Sequence, residues 1–139
     1  MELDPLREEN IIHTQRLSRT DEPDVWKLAT AWIEQCTTEH TACLVNADGN
    51  SQPWYPTRLI DVGGSRERHG EDKVYLHDTK KVAVKGHYVS LSHCWGGKVP
   101  LMLTTDNEQE FVKGIAFRDL PRSFAEAVKV ARHLGIRYM

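Results

Sequence analysis

The stretch His87-Tyr88-Val89-Ser90-Leu91-Ser92-His93-Cys94 alternates in polarity, carries aromatic and β-branched side chains, and breaks at Trp95-Gly96-Gly97. Such a run predicts a strand that ends in a sharp turn. Downstream, Thr105 stands three residues before Glu108, the spacing of a reciprocal helix cap, which predicts a short helix to about Lys113, closed by Gly114. The same spacing recurs from Ser123 to Glu126. There Phe124, Ala127, Val128, Ala131 and Leu134 form an apolar stripe before Gly135, so a longer helix is expected. Ile136-Arg137-Tyr138-Met139 then resumes a strand-like pattern. Strand, short helix, longer helix and new strand is the order required by a right-handed crossover between parallel strands, and the fold class it predicts is α/β with a parallel sheet layer.

Upstream, turn-forming residues crowd the chain from Asn46 to Gly70 and leave room only for short strands. Thr57-Arg58-Leu59-Ile60-Asp61-Val62 and Lys73-Val74-Tyr75-Leu76-His77 are each bounded by such breakers and are expected to pair as a hairpin. Before them, Val25, Leu28, Ala29, Trp32, Ile33 and Cys36 recur every three or four residues, which predicts a helix from Pro23 with Asp21 and Glu22 favouring its N-terminus. Residues 1–22 hold only scattered apolar side chains and read as a loose arm. The expected organisation is thus an arm over 1–22, a helix plus β-hairpin extension over 23–86, and an α/β portion over 87–139.

With 139 residues the chain suits one domain, and 40% apolar and 27% charged residues are ordinary globular usage. The net charge of −2, from 18 basic and 20 acidic residues without a basic stripe, argues against nucleic acid as a partner. No apolar run approaches the roughly 20 residues that span a bilayer. The acidic start Met1-Glu2-Leu3-Asp4 is unlike a signal peptide, so a cytoplasmic location without membrane association is expected. Three cysteines, Cys36, Cys43 and Cys94, make a poor disulfide framework and point to reduced thiols or a metal site.

Three ordered stretches carry a family resemblance: Tyr88-Val89-Ser90-Leu91-Ser92-His93-Cys94-Trp95-Gly96, Leu120-Pro121-Arg122-Ser123-Phe124 and Leu134-Gly135-Ile136-Arg137-Tyr138. Together they resemble the opening of the fungal heterokaryon-incompatibility (HET) domain. Trp32, Cys36, His40, Cys43 and Pro56-Thr57-Arg58-Leu59-Ile60-Asp61 look like segments that often precede it. In family members the tyrosine is followed by a Trp-Ile-Asp strand. Residues 87–139 are therefore expected to be the N-terminal portion of a truncated HET domain. The resemblance implies a partial TIR-like (flavodoxin-like) parallel sheet. It also implies a role in non-self recognition, programmed cell death and innate immunity in fungi, with other proteins of an incompatibility pathway as partners. Self-association into a homo-oligomer is left open. Some TIR-like proteins cleave NAD, so NAD enters as a substrate of a complete domain. No catalytic residue is assigned in this chain, and the fragment is not expected to be active by itself.

Ser92, His93, Trp95, Gly96, Gly97 and Lys98 are the candidate ligand-binding residues, because ligands in open α/β sheets bind beyond the carboxyl ends of strands. The glycines permit close approach to a phosphate and Lys98 would offset its charge, although the run is not a P-loop. The competing reading is a tight turn whose Trp95 plugs the core. A His93–Cys94 thiol-protease pair is disfavoured, since neighbours on a strand face opposite ways, and Cys94 reads as a small buried hydrophobe. Cys36, His40 and Cys43 gather three zinc-type ligands at a helix end, against the alternative of ordinary helix-end packing. No fourth ligand is evident unless the fold delivers His77 or His87. A zinc-stabilised binding module is accordingly the other function considered. Asp119, Arg122 and Glu126 read as cap and dipole residues rather than an acid/base set, and His13, His69 and His133 as surface.

Overall fold

A computed structural model describes residues 19–44, 54–63, 73–94, 96–97 and 101–139. The expected arm, apart from 19–22, lies outside these residues, as do the candidates Trp95 and Lys98. Contacts divide the chain into two units, Met1–His40 and Thr41–Met139.

The first unit contains helix α1, Pro23–Thr38. Pro23 at its start has a backbone angle already set for helix, and Asp24 complements the positive end of the helix dipole. The C-terminal end has no glycine. There the Thr37 hydroxyl bonds back to the Ile33 carbonyl and that of Thr38 to the Glu34 carbonyl, and the Glu39 N–H closes on Gln35 O at 2.9 Å. The three-to-four spacing therefore predicted the helix correctly. Its apolar face is only partly covered within the described residues, however: Val25, Leu28, Ala29 and Cys36 are half-buried, no α1 residue is buried, and Trp32 is 62% exposed. A four-residue helix, α2, follows at Thr41–Leu44.

In the second unit, β1 (Arg58–Asp61) and β2 (Lys73–Asp78) form the expected hairpin, with Leu59 opposite His77 and Ile60 opposite Leu76. After α3 (Glu108–Lys113), the two-residue strand β3 (Ile115–Ala116) pairs with the start of β2, so the sheet order is β1-β2-β3 and both pairings are antiparallel. A 3-10 turn at Phe117–Asp119 leads into α4, Arg122–His133. Strand alternation puts Ile60, Val74 and Leu76 on one sheet face and Leu59 and His77 on the other. On the first face Val62, Val74 and Ile115 meet Val128 and Ala131 of α4, and these five residues form one buried cluster. Full burial of each valine stabilises by about 1.5 to 3 kcal/mol.

The expected parallel, TIR-like layer is not what forms. Residues 137–139 lie along the free edge of β1, where Ile60 N–H donates to Met139 O at 2.7 Å and Met139 N–H returns to Ile60 O at 2.9 Å. Tyr138 bridges Asp61 in the antiparallel sense and Tyr88 in the parallel sense, and that second bridge is all the parallel pairing among the described residues. Val89 N–H donates to Tyr138 O, whereas Ser90–Cys94 lie outside any strand. The physical reason is that β1 and β2 take each other as antiparallel neighbours, so β3 and residues 137–139 add at the two outer edges, and Ser90–Cys94, outside any strand, supply no parallel neighbour.

Neither reciprocal cap forms. Asn107 precedes α3, and its amide instead closes the preceding turn, accepting from Thr104 N–H at 2.8 Å and donating to Met102 O at 2.9 Å. Pro121 stands at the N-cap of α4, which places Ser123 inside the helix and leaves Glu126 to pair with Lys129. The glycine stops do hold. Gly114 has φ of +120° at the end of α3, and Gly135, at φ +69°, lets Ile136 N–H reach Ala131 O and its own N–H reach Arg132 O, the two bonds of a Schellman ending.

Arg132 ties α4 to the hairpin, donating from Nε to Val62 O at 2.7 Å and from Nη2 to Lys73 O at 3.2 Å. Arg137 makes a bidentate pair with Asp61, at 3.1 Å from Nε and 2.9 Å from Nη2. No helix among the described residues is long and apolar enough to cross a membrane.

Candidate functional site

Over the sheet face that carries Ile60, Val74 and Leu76 opens a cavity of about 390 Å³, within the range of small-molecule and peptide-side-chain sites. Phe111 of α3 and Phe124 and Val128 of α4 wall it on the helix side, and Leu91, Leu101 and Leu103 of the intervening segment border it. Two polar side chains enter this apolar surround, Arg58 and His93. The His93 ring lies 4.9 Å from that of Phe124 at a tilt of 56°, so His93 presents an imidazole edge beside an aromatic wall. Arg58 is held by Glu108, with Nε at 3.1 Å and Nη2 at 2.9 Å from one carboxylate oxygen. Leu91 and Leu103 of this lining are also exposed, which gives the opening an apolar rim.

Of the candidates drawn from sequence, His93 joins the cavity wall. Ser92, Gly96 and Gly97 are exposed and do not line it, and Gly96, at φ +62°, makes the expected turn. Cys94 is exposed, not a buried hydrophobe, because the chain has left the sheet by that point and alternation no longer delivers it to the core. Arg58 and Glu108 were not legible as site residues, since they stand 50 positions apart and no periodicity links them.

Beside the hairpin end, the Lys80 backbone N–H, assisted by the Lys81 and Arg58 charges, holds the Asp78 carboxyl below its ordinary value against the opposing effect of burial.

Between the last turn of α1 and α2, the Cys36 and Cys43 thiols and the His40 imidazole offer ligand atoms that all lie within 4.8 Å of one another. His77 is committed elsewhere, with Nε2 3.0 Å from Val82 O and its ring 5.3 Å from Tyr138, and neither it nor His87 joins that group.

The family comparison bears on the cavity. Residues 88–139 match the family model for the heterokaryon incompatibility protein (HET). No curated protein and no solved structure matches the chain. The HET segment supplies His93, Phe111, Phe124 and Val128 to the cavity, while Arg58, Ile60 and Leu76 come from the hairpin ahead of it.

Proposed function

We propose that the protein is a heterokaryon-incompatibility-type module acting in the cytoplasm of a fungal cell, in non-self recognition and programmed cell-death signalling. The HET match over residues 88–139 is the observation that carries this reading. The cavity beside His93, with its apolar rim of Leu91 and Leu103, is the face it offers to another protein of that pathway. An apolar site with few polar groups suits capture of an aliphatic or aromatic side chain oriented by one hydrogen bond, here from or to the His93 imidazole. The NAD-cleaving alternative drew on a parallel TIR-like layer and has no such support in an antiparallel sheet.

The test is inducible expression in a filamentous fungus. Growth arrest and loss of viability are expected in at least one recognition background, and His93→Ala and Phe124→Ala should relieve them while the protein stays folded. Unchanged growth in every background would refute the proposal.

A further inference from the structure

Cys36, His40 and Cys43 occupy one short run of continuous backbone, so their separation is set by the local turn. Cys36 lies in the last turn of α1, whose end is held by the Glu39 N–H to Gln35 O bond, and Cys43 lies in α2 directly after His40. Two observations distinguish this group from helix-end packing. Unoxidised structural cysteines are among the most buried of residues, yet Cys43 and His40 are exposed and Cys36 is only half-buried. The three ligand atoms also converge to within 4.8 Å, and none of the three cysteines of the chain is in a disulfide.

We propose that Cys36, His40 and Cys43 bind a zinc ion through two thiolates and one imidazole, with water in the fourth position. Zinc–sulfur bonds near 2.3 Å and zinc–nitrogen bonds near 2.0 Å place tetrahedral donors roughly 3.4 to 3.8 Å apart. Ligand atoms within 4.8 Å of one another need to close by at most about 1 Å, which side-chain rotation supplies because two of the three side chains meet solvent rather than core. The donor set selects the metal: thiolate and imidazole favour zinc over magnesium or calcium, and the cluster contains no carboxylate that would reverse the preference. Binding displaces protons from both thiols, so affinity rises with pH.

The test is titration of the full chain, stripped of metal under reducing conditions, with cobalt(II) and then zinc(II). One equivalent of cobalt should produce a thiolate-to-metal charge-transfer band and visible bands of tetrahedral intensity, and one equivalent of zinc should abolish them. Cys36→Ser and Cys43→Ser should each weaken zinc binding by at least about a hundredfold, since even changes to outer-shell partners reach that size. His40→Ala should do likewise, and Cys94→Ser should leave the spectrum intact. The wild-type spectrum decides independently of how the variants fold: absence of tetrahedral thiolate bands overturns the proposal, as do bands that persist in both cysteine variants or vanish in Cys94→Ser.

Discussion

Replacing Arg132 with methionine keeps an aliphatic stem on α4 but removes the two bonds that tie the helix to the hairpin. The two acceptors are not equivalent. Val62 is 0% exposed, so its carbonyl, now bonded at 2.7 Å, has no ready access to water once the guanidinium is gone. Lys73 is exposed and its bond is longer, at 3.2 Å, so that carbonyl can rehydrate at little cost. A hydrogen bond from a charged donor contributes about 1.5 to 3 kcal/mol, which applies to Val62 O, and the Lys73 bond adds at most about 1 kcal/mol. The guanidinium also lies 5.5 Å from the Phe117 ring centre, a contact that contributes about 0.5 to 1 kcal/mol. Arg132→Met should therefore destabilise by roughly 2 to 5 kcal/mol. Urea unfolding should show a lower midpoint with an unchanged slope. Lys129→Met on the same helix breaks only the exposed pair with Glu126 and should stay within about 0.5 kcal/mol. If Arg132→Met also stays within about 0.5 kcal/mol, Val62 O rehydrates and the tie contributes nothing.

Three further expectations follow from local geometry. Gly114→Ala puts a Cβ 2.9 Å from the Tyr75 ring at a φ of +120°, and should lower stability by roughly 2 to 4 kcal/mol in the same unfolding assay. In a double-mutant cycle, Asp61→Ala and Arg137→Ala should couple by about 1 kcal/mol, given bidentate geometry on a partly exposed pair, and strict additivity would show the pair to be inert. Because the Asp78 carboxyl is held below its ordinary value, its charge stabilises the fold above the ordinary carboxylate range and ceases to do so as pH falls through the depressed value. Asp78→Asn should thus melt lower than the wild type near neutral pH, and the gap should narrow as pH falls through the depressed value.

The elements legible in the sequence were those fixed by short-range pattern. The α4 stripe buries Val128 and Ala131 as its spacing requires, and the glycine stops at 114 and 135 have the positive φ that makes glycine necessary. The hairpin followed from two apolar runs between breakers. The caps failed because a spacing of three residues does not reveal a stronger local competitor. Pro121 starts α4 ahead of Ser123, and the Asn107 amide uses both its donor and its acceptor on the turn before α3. Sheet direction failed for a different reason. The order of elements from 87 to 139 is compatible with a parallel crossover, but which strand sits beside β1 is decided by competition across the whole chain. Residues 137–139 win that edge through backbone bonds to Ile60 and Val62. His93 lines the cavity, whereas Ser92, Gly96 and Gly97 of the same sequence run do not. Its polar counterpart Arg58 did not announce itself, because its link to Glu108 exists only after folding.

The limits of the HET match are not the limits of the folded unit. The match begins at Tyr88, yet Val62 and Val74 ahead of it are 0% and 1% exposed in the same core as Ile115, Val128 and Ala131. Met139, the last residue matched, exchanges both of its backbone bonds with Ile60. A peptide restricted to residues 88–139 would lose both valines, a burial contribution of roughly 3 to 6 kcal/mol set against a typical total stability of about 5 to 15 kcal/mol. At about 50 residues it is also in the size range where a single core is marginal. It should show little cooperative unfolding and rapid amide exchange along α4, whereas the Thr41–Met139 unit, which retains the hairpin, should protect the α4 amides around Val128 and Ala131. Slow exchange at those amides in the 88–139 peptide would mean that the HET segment carries its own core and that the hairpin is an attachment to it.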